Sequence, residues 1–148
     1  SLLMGELTEL YWAVYSDAYK PYPNAESTLN YLKRKSYKLG LITDTDGKPG
    51  MKSKRLKRLP FIGLFDVVVI GGDDTPSAKP SPEPFLLAAS KLGLRVEDCV
   101  MVGDKPFTDI KGARAAGMRT IWVKRRDWGV KEKADLVVES LAMLRKIF

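Results

Sequence analysis

Histidine is absent from the 148-residue sequence, and cysteine occurs once, at Cys99. Without an imidazole there is no Ser–His or Cys–His nucleophile, no histidine general base and no histidine-ligated zinc. A single cysteine excludes an internal disulfide and any cysteine-cluster metal site. Cys99 falls in an apolar run, where a buried, inert thiol is expected. No apolar stretch approaches the roughly 20 residues that span a bilayer. Ser1-Leu2-Leu3 is too short for a signal-peptide core before Glu6 and Glu9 intervene, so the expected compartment is the cytoplasm, with no membrane partner. Any metal must therefore be held by oxygen, which favours a hard cation such as Mg²⁺.

What is plentiful is positive charge. The net charge is +7, gathered in Lys33-Arg34-Lys35, in the stretch from Lys52 to Arg58, and in Lys124-Arg125-Arg126. No aromatic or glycine signature of a nucleic-acid module accompanies these clusters. The expectation is solvated helix faces and a positive field that attracts phosphorylated molecules, not specific nucleic-acid binding. The basic helix over residues 50–59 should turn Met51, Leu56 and Leu59 inward.

The apolar pattern alternates between strand and helix. Leu7, Leu10, Tyr11, Val14 and Tyr15 have helical spacing, which predicts a helix over residues 5–19. After Pro21-Tyr22-Pro23, Asn24 should cap a second helix ending near Ser36. Short apolar runs predict buried strands at residues 38–43, 66–70, 99–102 and 120–123, and a weaker one at 136–138. Ser81-Pro82-Glu83 opens a helix that runs to about Leu92. Another runs from near Asp109 to a stop at Gly117. Strand–helix alternation with continuously apolar strands implies an α/β fold, a doubly wound parallel sheet with helices on both faces.

In such a sheet ligands bind at the carboxyl ends of the strands. Thr43, Asp44 and Asp46 follow the first of these strands, Gly71 to Asp74 the second, and Gly103, Asp104 and Asp109 the third. Lys79 precedes a helix start. Carboxylates, a hydroxyl and a lysine without histidine suit a phosphate held against a divalent cation.

The order and spacing of these residues resemble the haloacid dehalogenase superfamily. Leu39-Gly40-Leu41-Ile42-Thr43 looks like its second motif, Lys79-Pro80-Ser81-Pro82-Glu83-Pro84-Phe85 like its third, and Val102-Gly103-Asp104 through Asp109-Ile110 like its fourth. The resemblance implies a Rossmann-like core and a Mg²⁺-dependent phosphatase acting on a small phosphorylated metabolite through an aspartyl-phosphate. It further implies that Thr43 and Lys79 act in catalysis and bind phosphate. Asp104 would hold the metal, with Asp109 a second ligand or an orienter. The alternative is a non-catalytic module of the same fold, serving as a binding or scaffold unit.

The family's first motif, a strand followed by Asp-x-Asp-Gly-Thr, has no clear counterpart. Asp44-Thr45-Asp46-Gly47 resembles it, making Asp44 and Asp46 an alternative nucleophile region, but Lys48 stands where threonine belongs. The expectation is that residues 1–20 are the helical end of a cap domain and residues 21–148 a core lacking its first strand. The chain as it stands would then be without its nucleophile. That strand would come from an N-terminal segment of a longer protein or from a second chain, or else its two neighbours would close the gap.

Overall fold

A computed structural model describes residues 7–10 and 23–148. In chain order the elements are β1 (Leu7–Leu10), α1 (Ala25–Arg34), β2 (Lys38–Asp44), α2 (Met51–Leu56), β3 (Val67–Gly71) and α3 (Glu83–Leu92). There follow β4 (Cys99–Gly103), a π-helical turn (Pro106–Ile110), α4 (Lys111–Ala116), β5 (Arg119–Val123), β6 (Leu136–Val138) and α5 (Leu144–Ile147). The six strands form one sheet in the order β3-β2-β1-β4-β5-β6, and every pairing is parallel. The expected doubly wound α/β architecture is present.

The strands carry apolar residues on both faces because helices cover both. Leu39, Leu41, Val100 and Val102 pack with Leu29 and Leu32 of α1, Leu56 of α2 and Leu144 of α5. Ile42, Val69, Cys99 and Met101 pack on the opposite side with Phe85, Ala88 and Leu92 of α3 and Ala113 of α4. Cys99 is buried and forms no disulfide, as its apolar run implied. Ser81 Oγ accepts the Glu83 N–H at the start of α3, and Gly93, at φ 71°, ends it. Among the described residues no helix is long and apolar enough to cross a membrane.

Two sequence expectations need correction. Residues 7–10, read as part of a helix, form a strand, and the remainder of that helix lies outside the described residues. Leu7 to Glu9 pair with Lys38 to Gly40 on one side, and Leu7 to Leu10 with Cys99 to Val102 on the other. The central place, expected to need a longer protein, a second chain or closure of β2 on β4, is taken by this chain's own segment. Two buried strands offering rows of backbone donors and acceptors outweigh a weak local preference for helix. The second correction concerns α2. Leu56 and Leu59 are buried, but Met51 is 46% exposed. The helix starts at Met51 itself, so its first turn extends beyond the core it was expected to cover.

Candidate active site

The parallel sheet puts the carboxyl ends of β2, β1 and β4 side by side. Thr43 and Asp44 close β2, opposite Ile70 and Gly71 of β3, while Asp104 directly follows β4. The loop after β3 brings Lys79 to the same edge. Its backbone N–H donates to Asp44 Oδ1 at 3.1 Å, and its ammonium donates to Asp109 Oδ1 at 2.7 Å. Thr43, Lys79 and Asp104 therefore stand along one edge despite their separation in sequence.

Local chemistry shapes the Lys79 loop before any tertiary contact does. Thr75 Oγ1 donates to the Ser77 carbonyl, Ser77 N–H donates to Glu83 of α3, and Ser81 N–H donates to the Ala78 carbonyl. These bonds tie the loop to the helix that follows, so Lys79 enters the site from a fixed base. Lys79, which in sequence could equally be a surface lysine, has a side chain wholly withdrawn from solvent.

Asp109 is the pivot. Oδ1 accepts from Lys79 and from Thr108 Oγ1, and Oδ2 accepts the Lys105 N–H at 3.1 Å. The π-helical turn at Pro106–Ile110 lengthens the path between Asp104 and α4 and turns Asp109 back under the end of β4. That approach is possible because Gly103 lacks a side chain. A Cβ there would lie 2.5 Å from Asp109 Cβ. Likewise a Cβ on Gly112 would lie 2.5 Å from Phe85 and 3.0 Å from the Pro80 carbonyl oxygen. The two glycines let α4 and the Lys79 loop close around the ion pair.

Burial pushes the Lys79 ammonium down from its ordinary pKa, against the pull of Asp109 and Asp44. Burial likewise pushes the Asp109 carboxyl up, against Lys79, and the nearby Asp104 charge adds to the rise. Each partner's charge opposes the desolvation of the other in a place that favours neither charge alone.

As for metal ligands, the donors at this edge are all oxygen. Asp104 is 7% exposed, and its charge reaches Asp109. Among the described residues no group of three or more carboxylate or thiol side chains is arranged to hold a metal. Asp104 is a carboxylate at this edge that could serve a hard cation. Asp109, already accepting three hydrogen bonds, is placed to orient Lys79.

Asp44 and Asp46, the alternative nucleophile region, have other partners. Asp46 Oδ1 binds Lys52 Nζ at 2.9 Å and Arg55 Nη1 at 2.8 Å, fastening α2 to the end of β2. Asp44 fixes the Lys79 backbone. This clamp was invisible in sequence, because it depends on the loop after β3 returning to β2. Beyond Leu10 the sequence continues Tyr11-Trp12-Ala13, so no aspartate follows β1 until Asp17.

The sequence matches the profile of haloacid dehalogenase-like hydrolases over residues 4–123. It is 35% identical over 130 residues to a glyceraldehyde 3-phosphate phosphatase of Pyrococcus furiosus, covering 84% of this chain and 53% of that protein. It is 36% identical over 107 residues to a phosphoserine phosphatase of Thermus thermophilus, covering 72% of this chain and 42% of the relative. A solved phosphatase from Thermococcus onnurineus superposes with a TM-score of 0.77 at 35% identity, over 86% of this chain and 58% of that one. The chain thus spans about half the length of the relatives it matches. With the three motifs gathered at the carboxyl edge of a parallel sheet and the profile matched over most of the sequence, the chain belongs to the haloacid dehalogenase-like hydrolase family.

Proposed function

We propose that this chain is the core of a Mg²⁺-dependent phosphatase that hydrolyses a small phosphorylated metabolite in the cytoplasm. The observation that carries the reading is the fully buried Lys79–Asp109 pair, held at the carboxyl edge beside Asp104 and Thr43. A structural ion pair could be built anywhere, whereas this one is aimed where ligands of such sheets bind. The phosphatases among the relatives, acting on glyceraldehyde 3-phosphate and phosphoserine, support the substrate class.

In this reading the Thr43 hydroxyl and the Lys79 ammonium take phosphoryl oxygens, and Lys79 offsets the negative charge that grows during transfer. Asp109 holds Lys79 in place and keeps it charged. Asp104 is the protein ligand of the metal. Magnesium, when bound, supplies positive charge against the phosphoryl group. An aspartate attacks phosphorus, the bond to the substrate alcohol breaks, and water then cleaves the aspartyl-phosphate. Asp44 and Asp46 have structural partners, so we place that aspartate outside the described residues.

A second reading, phosphate binding without turnover, is favoured by Tyr11-Trp12-Ala13 standing after β1 in place of an aspartate. The deciding experiment is Mg²⁺-dependent hydrolysis of p-nitrophenyl phosphate by this chain and by any longer native form. Lys79→Met serves as the inactive control, and phosphate binding is measured by calorimetry. Turnover that is abolished in Lys79→Met protein shown by thermal unfolding to be folded at the assay temperature supports the phosphatase. Phosphate binding with no turnover in either form supports the second reading.

A further inference from the structure

We propose that Trp128 is a positioning residue for the turn between Asp104 and Asp109, which it holds through Phe107. The inference rests on the phosphate-handling role proposed above and adds to it a stretch, residues 124–134, that the sequence motifs do not reach. The turn has two sides. Asp109 lies on the inner side at 0% exposure; its N–H donates to the Lys105 carbonyl, and its Oδ2 accepts the Lys105 N–H. Phe107, two residues earlier in the same π-helical turn, is 49% exposed. The Lys105 bonds fasten the base of the turn and leave its crest to side-chain contacts. Among the described residues the ring that meets Phe107 is Trp128, edge-on, with centroids 6.4 Å apart and planes at 86°. That is a favoured geometry for an aromatic pair.

Trp128 is itself held in place. Gly103 of β4 pairs with Trp122 of β5, so the segment leaving β5 starts beside the turn leaving β4. Residues 124–134 then run with neither helix nor strand. At one end the Lys124 N–H donates to the Val138 carbonyl. At the other, Asp135 N–H donates to Thr120 Oγ1 and Asp135 Oδ2 accepts the Thr120 N–H. Arg114 of α4 donates to the Lys133 carbonyl in between. Asp127 Oδ1 accepts the Gly129 N–H, and Gly129 takes φ 64°, closing a tight turn with Trp128 at its middle. The Arg126 guanidinium lies 3.7 Å over the Trp128 ring. The segment is thus tied to β5, β6 and α4, and it sets a fixed ring against Phe107. Phe107 and Asp109 share one short turn, so a shift of its crest moves the carboxylate that holds Lys79 Nζ at 2.7 Å. A segment that only shielded the sheet would need no ring set against that crest.

The test is the calorimetric affinity for inorganic phosphate, with Mg²⁺, in a double-mutant cycle. Trp128→Ala should weaken phosphate roughly threefold to tenfold, the worth of one aromatic pair, because binding must then restore the turn to its place. Trp128→Phe, which keeps a ring against Phe107, should recover most of that loss. Phe107→Ala should match Trp128→Ala, and the double variant should be no weaker than either single one. Thermal unfolding shows which variants are folded at the titration temperature. If Trp128→Ala is not, Trp128→Leu takes its place in the same cycle. Parental phosphate affinity in folded Trp128→Ala overturns the positioning role while leaving the phosphate site intact. So does a double variant whose loss is the product of the two single losses, or a Trp128→Phe protein that recovers nothing. A parent protein that binds no phosphate overturns the proposed function, and this inference with it.

Discussion

Lys79 Nζ meets Asp109 Oδ1 at 2.7 Å with both side chains at 0% exposure, across 30 residues of sequence. Neither charge would be tolerated there alone, so the pair fixes two loops relative to each other. The loop after β3 and the turn after β4 are held to a single geometry at the sheet's edge. Breaking such a pair from one side leaves a buried, uncompensated charge, at a cost of about 3–5 kcal/mol. Asp109→Asn and Lys79→Met should each destabilise the fold by that order in urea unfolding. The double variant Lys79→Met/Asp109→Leu should recover much of the loss, because replacing both partners removes the buried charge altogether. Single variants that unfold like the parent protein would mean that water reaches the pair.

Space at Gly103 and Gly112 is the second requirement of the same geometry. Alanine at Gly103 must displace Asp109, and alanine at Gly112 must displace Phe85 or the Pro80 carbonyl. Overpacking of this kind costs about 1–3 kcal/mol. Gly103→Ala should also weaken phosphate binding, because moving Asp109 moves Lys79. Gly63→Ala, whose new Cβ would meet nothing within 4 Å, is the control and should be close to neutral. A Gly103→Ala protein with unchanged stability and phosphate affinity would show that the turn gives way more easily than its contacts suggest.

Much of this was legible in the sequence, for reasons that differ between elements. The buried strands β2 to β5 announce themselves as short runs of apolar residues, since both faces are covered and no alternation is needed. Thr43, Lys79, Asp104 and Asp109 could be picked out because each follows an expected strand or precedes an expected helix at the edge where parallel sheets bind ligands, and the family resemblance then gave each a role. β1 could not. Leu7, Leu10 and Tyr11 have helical spacing, and only the two strands flanking the vacancy in the sheet turn that segment into a strand. The Asp44 clamp was equally hidden, because it joins segments that only the tertiary fold brings together.

Asp66 offers a pH-dependent test away from the site. Its Oδ2 accepts the Leu39 N–H at 2.7 Å, and Lys33 Nζ lies 2.9 Å from Oδ1. Partial burial raises the Asp66 pKa, but the Leu39 N–H and the Lys33 ammonium outweigh it, and the net shift is downward. A carboxyl whose pKa is lowered by folding stabilises the fold fully above the ordinary carboxylate range. That contribution is lost as pH falls through the lowered value. Asp66→Asn should therefore cost about 1 kcal/mol near neutrality, mostly through the weaker bond to Leu39, since the exposed ion pair adds little. The gap between parent and variant should hold from neutrality to about pH 5 and close below about pH 4. A gap undiminished at pH 2 would assign the effect to packing.

Asp104 is where the metal assignment stands or falls. Histidine is absent and the one thiol is buried at the start of β4, so only oxygens can serve. Of the two carboxylates after β4, Asp109 accepts from Lys79, Thr108 and Lys105, and the proposed function makes Asp104 the metal ligand. The Asp104 charge raises the Asp109 pKa, and a divalent cation between substrate and Asp104 would relieve that repulsion. Calorimetry with Mg²⁺ should show weak binding by the parent protein, strengthened by phosphate, since most ligands would be water and phosphate oxygens. Asp104→Ala should abolish the heat of Mg²⁺ binding. Asp104→Asn, which keeps an oxygen but not the charge, should weaken it without restoring parental affinity. Asp109→Asn should affect phosphate binding through Lys79 more than it affects Mg²⁺. Equal loss of Mg²⁺ affinity from both positions would make Asp109 a ligand in its own right, and unchanged affinity in Asp104→Ala would remove Asp104 from the metal site.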